Sequence, residues 1–240
     1  MIFKNNKRLR SHPGPNYETV EVRRHSPTLV EVIARADEQT SDAARAFQPG
    51  DKIKVDVGNA MRSYTPSMLS ASELRFFGVV HGGGPGSDWL RRLQPRDPVR
   101  FRGPARSLPF VEDVEWAGFF GDETTVGAAD ALLGALPANI PRVGALEVEE
   151  DSVAAVRAMS LGLEVKARRE RGDALVRFAE ALEIPSGKGV LWLSGEATTL
   201  VRLKETLLAR GVERSMLRIK AYWSLKGTLH RKALERGALR

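Results

Sequence analysis

The sequence predicts a two-domain α+β fold, in which an antiparallel β-barrel precedes an α/β domain with an open parallel sheet. Three observations support this prediction. The first half contains short β-rich runs separated by turn residues, the second half alternates strand and helix patterns, and a Gly- and Pro-rich stretch at 103–109 lies between them. A chain of 240 residues is long enough for two hydrophobic cores. We therefore expect domains at residues 1–106 and 107–240.

The first half is typical of a small antiparallel barrel, because its short strands recur at regular spacing. One helix is predicted at 86–93, with Ser87 as its N-cap. The predicted strands cover residues 18–22, 28–34, 52–57, 73–80 and 98–101.

The second half is typical of an open parallel sheet with helices on both faces, because strands and helices alternate along it. The carboxyl ends of such strands are where nucleotides bind. Strands are predicted at 116–120, 144–148, 163–167, 189–194 and 217–222. Helices are predicted at 124–136, 152–159, 173–182, 197–210 and 226–236.

The composition excludes several classes of site. The chain has no cysteine, so disulfides, thiolate nucleophiles and Cys-ligated metal centres are excluded, and its four histidines are widely spaced. It shows neither an apolar leader nor an apolar run of the roughly 20 residues that a membrane span needs. We therefore expect a cytoplasmic protein without a membrane segment.

The net charge of +7 is unevenly distributed. Residues 1–106 hold 18 Lys and Arg against 11 Asp and Glu, whereas residues 107–240 hold 19 of each. A basic first half attracts anions, either nucleic acid, a phosphate-bearing cofactor or an acidic small molecule. Nucleic acid is disfavoured, because the basic strands do not interleave aromatic residues with Lys and Arg.

The run Arg62-Ser63-Tyr64-Thr65 follows the alternating strand at 52–57. A guanidinium can bind phosphate oxygens in a bidentate fork, an aromatic ring can lie against a flat ring, and a hydroxyl can bond to a ring nitrogen. The run therefore indicates a site for a flat ring joined to a pyrophosphate, or else a polar turn after a strand.

Glycines are concentrated between His81 and Trp89, where a strand gives way to a helix. Glycine lets the backbone approach phosphate oxygens, and a helix N-terminus supplies N–H donors. The His-Gly-Gly-Gly string also matches the oxyanion loop of lipases, but the chain lacks their Gly-x-Ser-x-Gly elbow. The segment therefore indicates phosphate binding or a flexible turn.

Two polar turns follow predicted strands of the second half, Gly121–Thr125 and Gly195-Glu196-Ala197. Both lie where a parallel sheet binds nucleotides, although the chain has neither a Gly-x-Gly-x-x-Gly fingerprint nor a Walker A sequence. Asp122 and Glu196 are more typical of helix-start acids than of acid/base residues. The pair Tyr222-Trp223 ends the last strand and indicates either domain packing or a cover for a flat ring.

In this order, the motifs resemble the siderophore-interacting protein family, which consists of flavin-dependent ferric-siderophore reductases of the ferredoxin-reductase-like superfamily. The resemblance extends from about residue 17 to residue 227 and implies an amino-terminal FAD-binding barrel and a carboxyl-terminal NAD(P)H-binding domain. The chain departs from the family at Ser67, where an arginine is common, and at Thr125-Val126-Gly127, where Ala-Leu-Pro is common.

The resemblance also implies roles for individual residues. Arg62 is expected to bind the FAD pyrophosphate, and Ser63, Tyr64 and Thr65 to hold the isoalloxazine. The rest of the flavin site is assigned to Val80, His81, Gly86, Ser87 and Trp89. The nicotinamide side is assigned to Gly121, Asp122, Glu123, Thr124, Thr125, Gly195, Glu196 and Ala197. Tyr222 and Trp223 are expected to cover a nicotinamide or flavin ring. An anionic ferric siderophore is expected to meet Lys54, Arg106 and Lys226.

The activity implied is NAD(P)H-driven, FAD-dependent reduction of a ferric siderophore, which releases iron as Fe²⁺ in the cytoplasm. No side chain is expected to act as general acid or base, because the flavin transfers the electrons. Reduced ferredoxin is an alternative donor, and a general flavin reductase or ferredoxin-type oxidoreductase is the alternative function. We expect a monomer that binds neither nucleic acid nor membranes.

Overall fold

The computed structural model describes residues 16–36 and 46–239, which form two sheets. The first sheet has seven antiparallel strands in the order β4-β3-β7-β1-β2-β6-β5 and is barrel-like but not closed. Its elements are β1 (Asn16–Arg24), β2 (Leu29–Ala36), β3 (Lys52–Asp56), β4 (Met61–Tyr64), β5 (Pro66–Leu69), β6 (Glu73–Val79), α1 (Pro85–Arg92) and β7 (Pro98–Ala105).

Three details of the first domain differ from the sequence predictions. The Arg62–Tyr64 run is not a turn after β3 but lies in β4, which pairs with β3 after a turn at residues 57–60. The turn is tight because Gly58 adopts a φ of +98° and donates its N–H to Asp56 Oδ1 at 2.9 Å. The stretch 103–105 belongs to β7 instead of a linker, and the N-cap of α1 is Gly84 instead of Ser87.

The second domain holds a five-stranded parallel sheet in the order β10-β9-β8-β11-β12. This arrangement confirms the predicted open parallel sheet. Its strands are β8 (Trp116–Asp122), β9 (Arg142–Val148), β10 (Glu164–Ala167), β11 (Gly189–Glu196) and β12 (Leu217–Trp223). Its helices are α2 (Val126–Gly134), α3 (Val153–Ala158), α4 (Asp173–Ala181), α5 (Ala197–Ala209) and α6 (Gly227–Arg236).

Both faces of the parallel sheet are buried, so its strands consist of nearly continuous apolar runs. These runs are the pattern from which the sheet was predicted. Alternate side chains of β8 enter opposite cores, so that Phe119 packs in one cluster and Phe120 in the other. Every residue of β8 is buried. The first domain has a separate core around Tyr17, Phe76 and Phe101.

The two domains meet through specific contacts. Leu29 of β2 is fully buried in a core of the second domain. Ser26 Oγ lies 2.7 Å from Ser152 Oγ, and the Thr65 hydroxyl is hydrogen-bonded to the Tyr222 hydroxyl. The segment from 106 to 115 joins the two sheets. We propose that the boundary between the domains lies at the start of this segment, between residues 106 and 107.

Gly127 is a position where the domains approach too closely for a side chain. A Cβ there would lie 2.7 Å from the Thr65 carbonyl oxygen, so the backbone has to shift. We expect Gly127→Ala to lower the free energy of unfolding by about 1–3 kcal/mol, as overpacking does. The matched control is Gly134→Ala at the other end of α2, because nothing lies within 4 Å of a Cβ there. Chemical denaturation checks both, and equal stability of the two variants contradicts the prediction.

Candidate active site between the two domains

A cleft of about 590 Å³ lies between the domains, at the carboxyl edge of the parallel sheet. Its lining combines residues of the first sheet and the start of α1 with residues that follow β8, β9 and β10 and with the last two residues of β12. The lining residues are Arg62, Ser63, Tyr64, Phe77, Gly78, Val79, His81, Gly83, Gly84, Gly86, Ser87, Glu123, Thr124, Glu149, Arg168, Arg171, Tyr222 and Trp223. Sequence motifs from both halves of the chain therefore meet in one place.

The barrel wall of the cleft is formed by β4 and the start of α1. Tyr64 packs on Phe76 with ring centroids 4.8 Å apart, and burial raises the pKa of Tyr64 to about 12. The Arg62 guanidinium is exposed and donates to the Met61 carbonyl at 3.1 Å. A Cβ on Gly86 would lie 3.2 Å from Arg62 Cγ, so only glycine fits here without displacing the arginine.

The start of α1 is an open helix N-terminus. Gly84, with a φ of +116°, is its N-cap, and no side chain caps the first amide groups. The loop before it is fixed at His81, whose N–H donates to Ser87 Oγ at 3.1 Å and whose carbonyl accepts from Arg91 at 3.0 Å. Helix amides without a side-chain cap, beside a guanidinium that has no carboxylate partner among the described residues, form a site suited to phosphate.

On the opposite wall, Asp122 connects three segments of the second domain. Its Oδ1 accepts from the Thr124 amide at 3.0 Å, and its Oδ2 accepts from the Glu196 amide at 3.0 Å. The same Oδ2 accepts from Trp223 Nε1 at 2.9 Å. These hydrogen bonds hold the ends of β8, β11 and β12 together. Asp122 is only 6% exposed and does not line the cleft itself.

Glu196 caps the start of α5. Its Oε2 accepts from the amides of Thr198 and Thr199 at 2.7 and 2.9 Å. The amides of Thr124, Glu196, Thr198 and Thr199 are thus bonded to carboxylates of the chain itself. These four amides are not free to bind a phosphate group, in contrast to those at the start of α1.

Arg168 is buried in the cleft wall among three glutamates. Its side chain is 8% exposed and forms a close ion pair with Glu123. Its Nη1 lies 2.7 Å from Glu149 Oε1, and its Nε lies 3.5 Å from Glu147 Oε2. Burial and the neighbouring Asp122 carboxylate raise the pKa of Glu123, although Arg168 acts in the opposite direction.

Two aromatic residues close the cleft on the side of β12. Burial raises the pKa of Tyr222 to about 12, so its hydroxyl stays protonated and bonded to Thr65. The Arg171 guanidinium lies 4.8 Å from the Trp223 ring centroid in a cation–π contact. Trp223 is therefore held on one side by Asp122 and covered on the other by Arg171.

Some residues that the sequence assigned to the site lie away from the cleft lining. Trp89 stacks on Phe76 inside the first domain, and Thr65, Val80 and the residues of the two polar turns other than Glu123 and Thr124 are buried beside the cleft. Arg106 donates to Asp51 Oδ2 at 2.7 Å. Lys54 and Lys226 are exposed and lie outside the lining.

Sequence reasoning missed Arg168, Arg171 and Glu149. All three follow parallel strands at their carboxyl ends, so the rule that selected Gly121–Thr125 could also have found them. Within 16–36 and 46–239, no group of three or more His, Cys, Asp or Glu side chains could hold a metal ion. In the same described residues, no helix is long and apolar enough to cross a membrane.

Comparison with known proteins relates the second domain to a known family. A model of the siderophore-interacting protein family matches residues 114–226, which are just under half of the chain. The resemblance inferred from the motifs is thereby confirmed over the second domain, whereas the first domain is compared through its fold.

The curated proteins similar to this chain are named after a specific activity, whereas the family model is not. The chain is 26% identical over 155 residues to the ferric vibriobactin reductase ViuB of two Vibrio cholerae serotype O1 strains. The match covers 61% of this chain and 57% of each relative. The matched region thus spans little more than half the length of these curated proteins.

Solved structures with the same fold cover nearly the whole chain. A siderophore utilization protein from T. fusca is 24% identical, with a TM-score of 0.72, over 89% of this chain and 93% of that one. The siderophore-interacting protein SipS from Aeromonas hydrophila is 22% identical, with a TM-score of 0.72, over 93% and 97%. The FAD/NAD-binding domain of nitric oxide dioxygenase from Vibrio cholerae is 16% identical, with a TM-score of 0.69, over 88% and 99%. Together they confirm the predicted ferredoxin-reductase-like fold.

Proposed function

We propose that this protein is an FAD-dependent reductase of ferric siderophores. The observation that carries the proposal is that Arg62 and the open start of α1 lie side by side on one wall of the cleft. A cation and free helix amides suit the FAD pyrophosphate, and Tyr64 between them offers a ring face. The ferric vibriobactin reductases among the relatives support the reaction class.

The residues of the barrel wall fit FAD. Gly86 leaves the approach to α1 clear, since a larger residue would press on Arg62 and on the Tyr64 hydroxyl. The Arg62 guanidinium forms no ion pair with a carboxylate among the described residues. Ser63 and Ser87 add polar groups to the same wall. We therefore assign Arg62 and the α1 amides to the pyrophosphate and Tyr64 to the ring.

When bound, FAD supplies the conversion of a two-electron donor into single electrons, each of which reduces one Fe³⁺ to Fe²⁺. The side chains of the protein bind and orient. Tyr64 and Tyr222 remain neutral phenols at physiological pH, because burial raises the pKa of each to about 12. Fe²⁺ carries less charge than Fe³⁺, so oxygen chelators hold it less tightly and release it.

The proposed electron donor is NAD(P)H, with its nicotinamide ring near Tyr222 and Trp223. The aromatic surface suits a planar ring. Its phosphate groups cannot use the amides of Thr124, Glu196 or Thr198, because those amides are already bonded. Cations at the rim such as Arg171 would have to bind them. We place the reaction in the cytoplasm, with reduced ferredoxin as the alternative donor.

A general flavin reductase is the second candidate function. It is favoured by the position of the cations expected to bind the siderophore, since Lys54, Arg106 and Lys226 lie outside the cleft lining. Arg106, moreover, is paired with Asp51 at 2.7 Å. A reductase that bound free flavin would not need these cations.

A visible absorption spectrum of the purified protein tests the proposal first. We expect the two bands of a flavin and release of FAD on denaturation. Reduction is then followed with ferric chelates and with free flavins as competing acceptors, using a chromogenic Fe²⁺ chelator. Preference for free flavin over every ferric chelate favours the second candidate. A colourless protein that neither FAD nor FMN can reconstitute contradicts both.

A further inference from the structure

The solvent side of α6 exposes apolar side chains that no described part of the chain covers. Leu225, in the turn before α6, is 70% exposed, and Leu229, in its first turn, is 83% exposed. Ala233 is exposed one turn further along. Residues four apart in a helix share one face, so the three form a stripe. With the exposed cations beside it, we call this surface the outer face of α6, which consists of Leu225, Lys226, Leu229, Lys232, Ala233 and Arg236.

The outer face of α6 is positively charged. Lys226, Lys232 and Arg236 are exposed, and within residues 16–36 and 46–239 their side chains form no ion pair. The single carboxylate of α6, that of Glu235, lies on the opposite side of the helix and is only 21% exposed. The outer face therefore combines an apolar stripe with three unneutralised cations.

The inner side of α6 fixes this orientation. Leu234 packs against the core between the parallel sheet and α5. Glu235 Oε1 lies 2.8 Å from Lys220 Nζ of β12, and Glu235 Oε2 lies 3.0 Å from Arg231 Nη1. Because packing and ion pairs both hold the inner side, the helix cannot turn its leucines inward without losing these contacts.

We infer that the outer face of α6 binds the surface of an anionic phospholipid bilayer. Three cations without a carboxylate complement lipid phosphate groups, and the leucines between them can enter the boundary between head groups and acyl chains. The leucines protrude from the surface and line no groove, and a fluid bilayer needs no matching shape. A second copy of the chain is disfavoured, because two such faces would bring six cations together.

This inference goes beyond the proposed function and does not depend on it. The expectation from the sequence that the protein binds no membrane rests on the lack of a spanning segment, whereas a helix that lies on a bilayer needs only one apolar side. Helix α6 begins four residues after Trp223, which lines the cleft. The bound protein would therefore have one end of its cleft near the bilayer. Lys226, which the resemblance assigns to the siderophore, would then contact lipid phosphate.

Sedimentation of the full chain with vesicles tests the inference. We expect binding to vesicles of two parts phosphatidylcholine and one part phosphatidylglycerol, and little binding to phosphatidylcholine alone. Raising the salt concentration should weaken the binding, since it screens exposed charges. Leu229→Gln should lower the partition coefficient by about tenfold, because it removes one buried leucine from the contact. Lys232→Gln should lower it by about fivefold, the effect of one cation near an anionic surface.

Two control variants match these changes away from α6. Met68→Gln replaces an exposed apolar side chain on β5, and Lys188→Gln removes one positive charge before β11. Neither should change the partition coefficient. The unfolding midpoints of all four variants should stay close to that of the unaltered protein, because the replaced side chains are exposed.

Three results would overturn the inference. The first is no binding to the mixed vesicles at low salt, which would leave an acidic protein as the partner of this face. The second is an equal loss with Lys188→Gln and Lys232→Gln, which would mean that net charge alone attracts the protein. The third is binding that Leu229→Gln does not weaken, because the leucines would then not enter the bilayer. None of these results depends on whether the protein holds FAD.

Discussion

Replacing Arg62 with glutamine is expected to weaken FAD binding by about tenfold to a hundredfold. A hydrogen bond between charged partners contributes about 1.5–3 kcal/mol, and each 1.4 kcal/mol is about tenfold in affinity. The proposed partner is the FAD pyrophosphate, which a guanidinium can bind through two parallel hydrogen bonds. Glutamine keeps part of the length and loses both the charge and the fork.

The measurement is a fluorescence titration of apoprotein with FAD. The unfolding midpoint should barely change, because Arg62 is exposed and donates only to the carbonyl of its neighbour Met61. Arg92→Gln is the control, since Arg92 is also exposed but lies at the carboxyl end of α1, away from the cleft. Equal FAD affinity of the two variants would contradict the assignment of Arg62 to the pyrophosphate.

The helix N-termini around the cleft differ in whether their amide groups are available to bind phosphate. The start of α1 has no side-chain cap and remains available for phosphate. The amides after β8 and β11 are bonded to Asp122 and Glu196, which stabilise the second domain at the expense of phosphate binding. Under the proposed function, the first domain binds both the pyrophosphate and the ring of FAD, and the aromatic residues of the second domain contact the nicotinamide ring.

The parallel sheet was predictable because its strands are buried on both faces. The unbroken apolar runs of β8 and β11 leave no other interpretation once helices alternate with them. Strands β4 and β5 were missed, because each has four residues and mixes polar with apolar side chains. Their position is fixed by pairing with β3 and β6, which is a property of the sheet and not of the local sequence.

The site was predictable where a motif stays together in the chain. Arg62, Tyr64 and Gly86 were found because glycines and an Arg-x-Tyr run are visible locally. The ion pairs of Arg168 depend on glutamates from β8, β9 and the segments after them, so only the folded chain brings them together.

Arg168→Met is expected to be the most destabilising of the proposed substitutions. It would leave Glu123, Glu147 and Glu149 without the cation that they surround. Breaking a buried ion pair by removing one partner costs about 3–5 kcal/mol, because the remaining charge stays buried. The free energy of unfolding at neutral pH, measured by chemical denaturation, should fall by about that amount.

The loss of stability caused by Arg168→Met should increase from acid to neutral pH. Burial, followed by Asp122, already raises the pKa of Glu123 above its ordinary value of 4.5, so the folded state binds its proton more readily than the unfolded chain. The stability that Glu123 contributes is thus fully present below 4.5 and is lost as the pH rises through the raised pKa. Without Arg168 that pKa rises further, so the difference between the variant and the unaltered protein should grow from acid to neutral pH.

Arg177→Met on α4 is the matched control. Arg177 is 66% exposed and lies 4.0 Å from Asp173, so its loss should cost less than about 1 kcal/mol at every pH. A destabilisation by Arg168→Met that is the same at acid and neutral pH would mean that lost packing, and not uncompensated carboxylate charge, causes it. A pH-dependent loss instead means that Arg168 compensates the buried carboxylate charge in the wall of the proposed site.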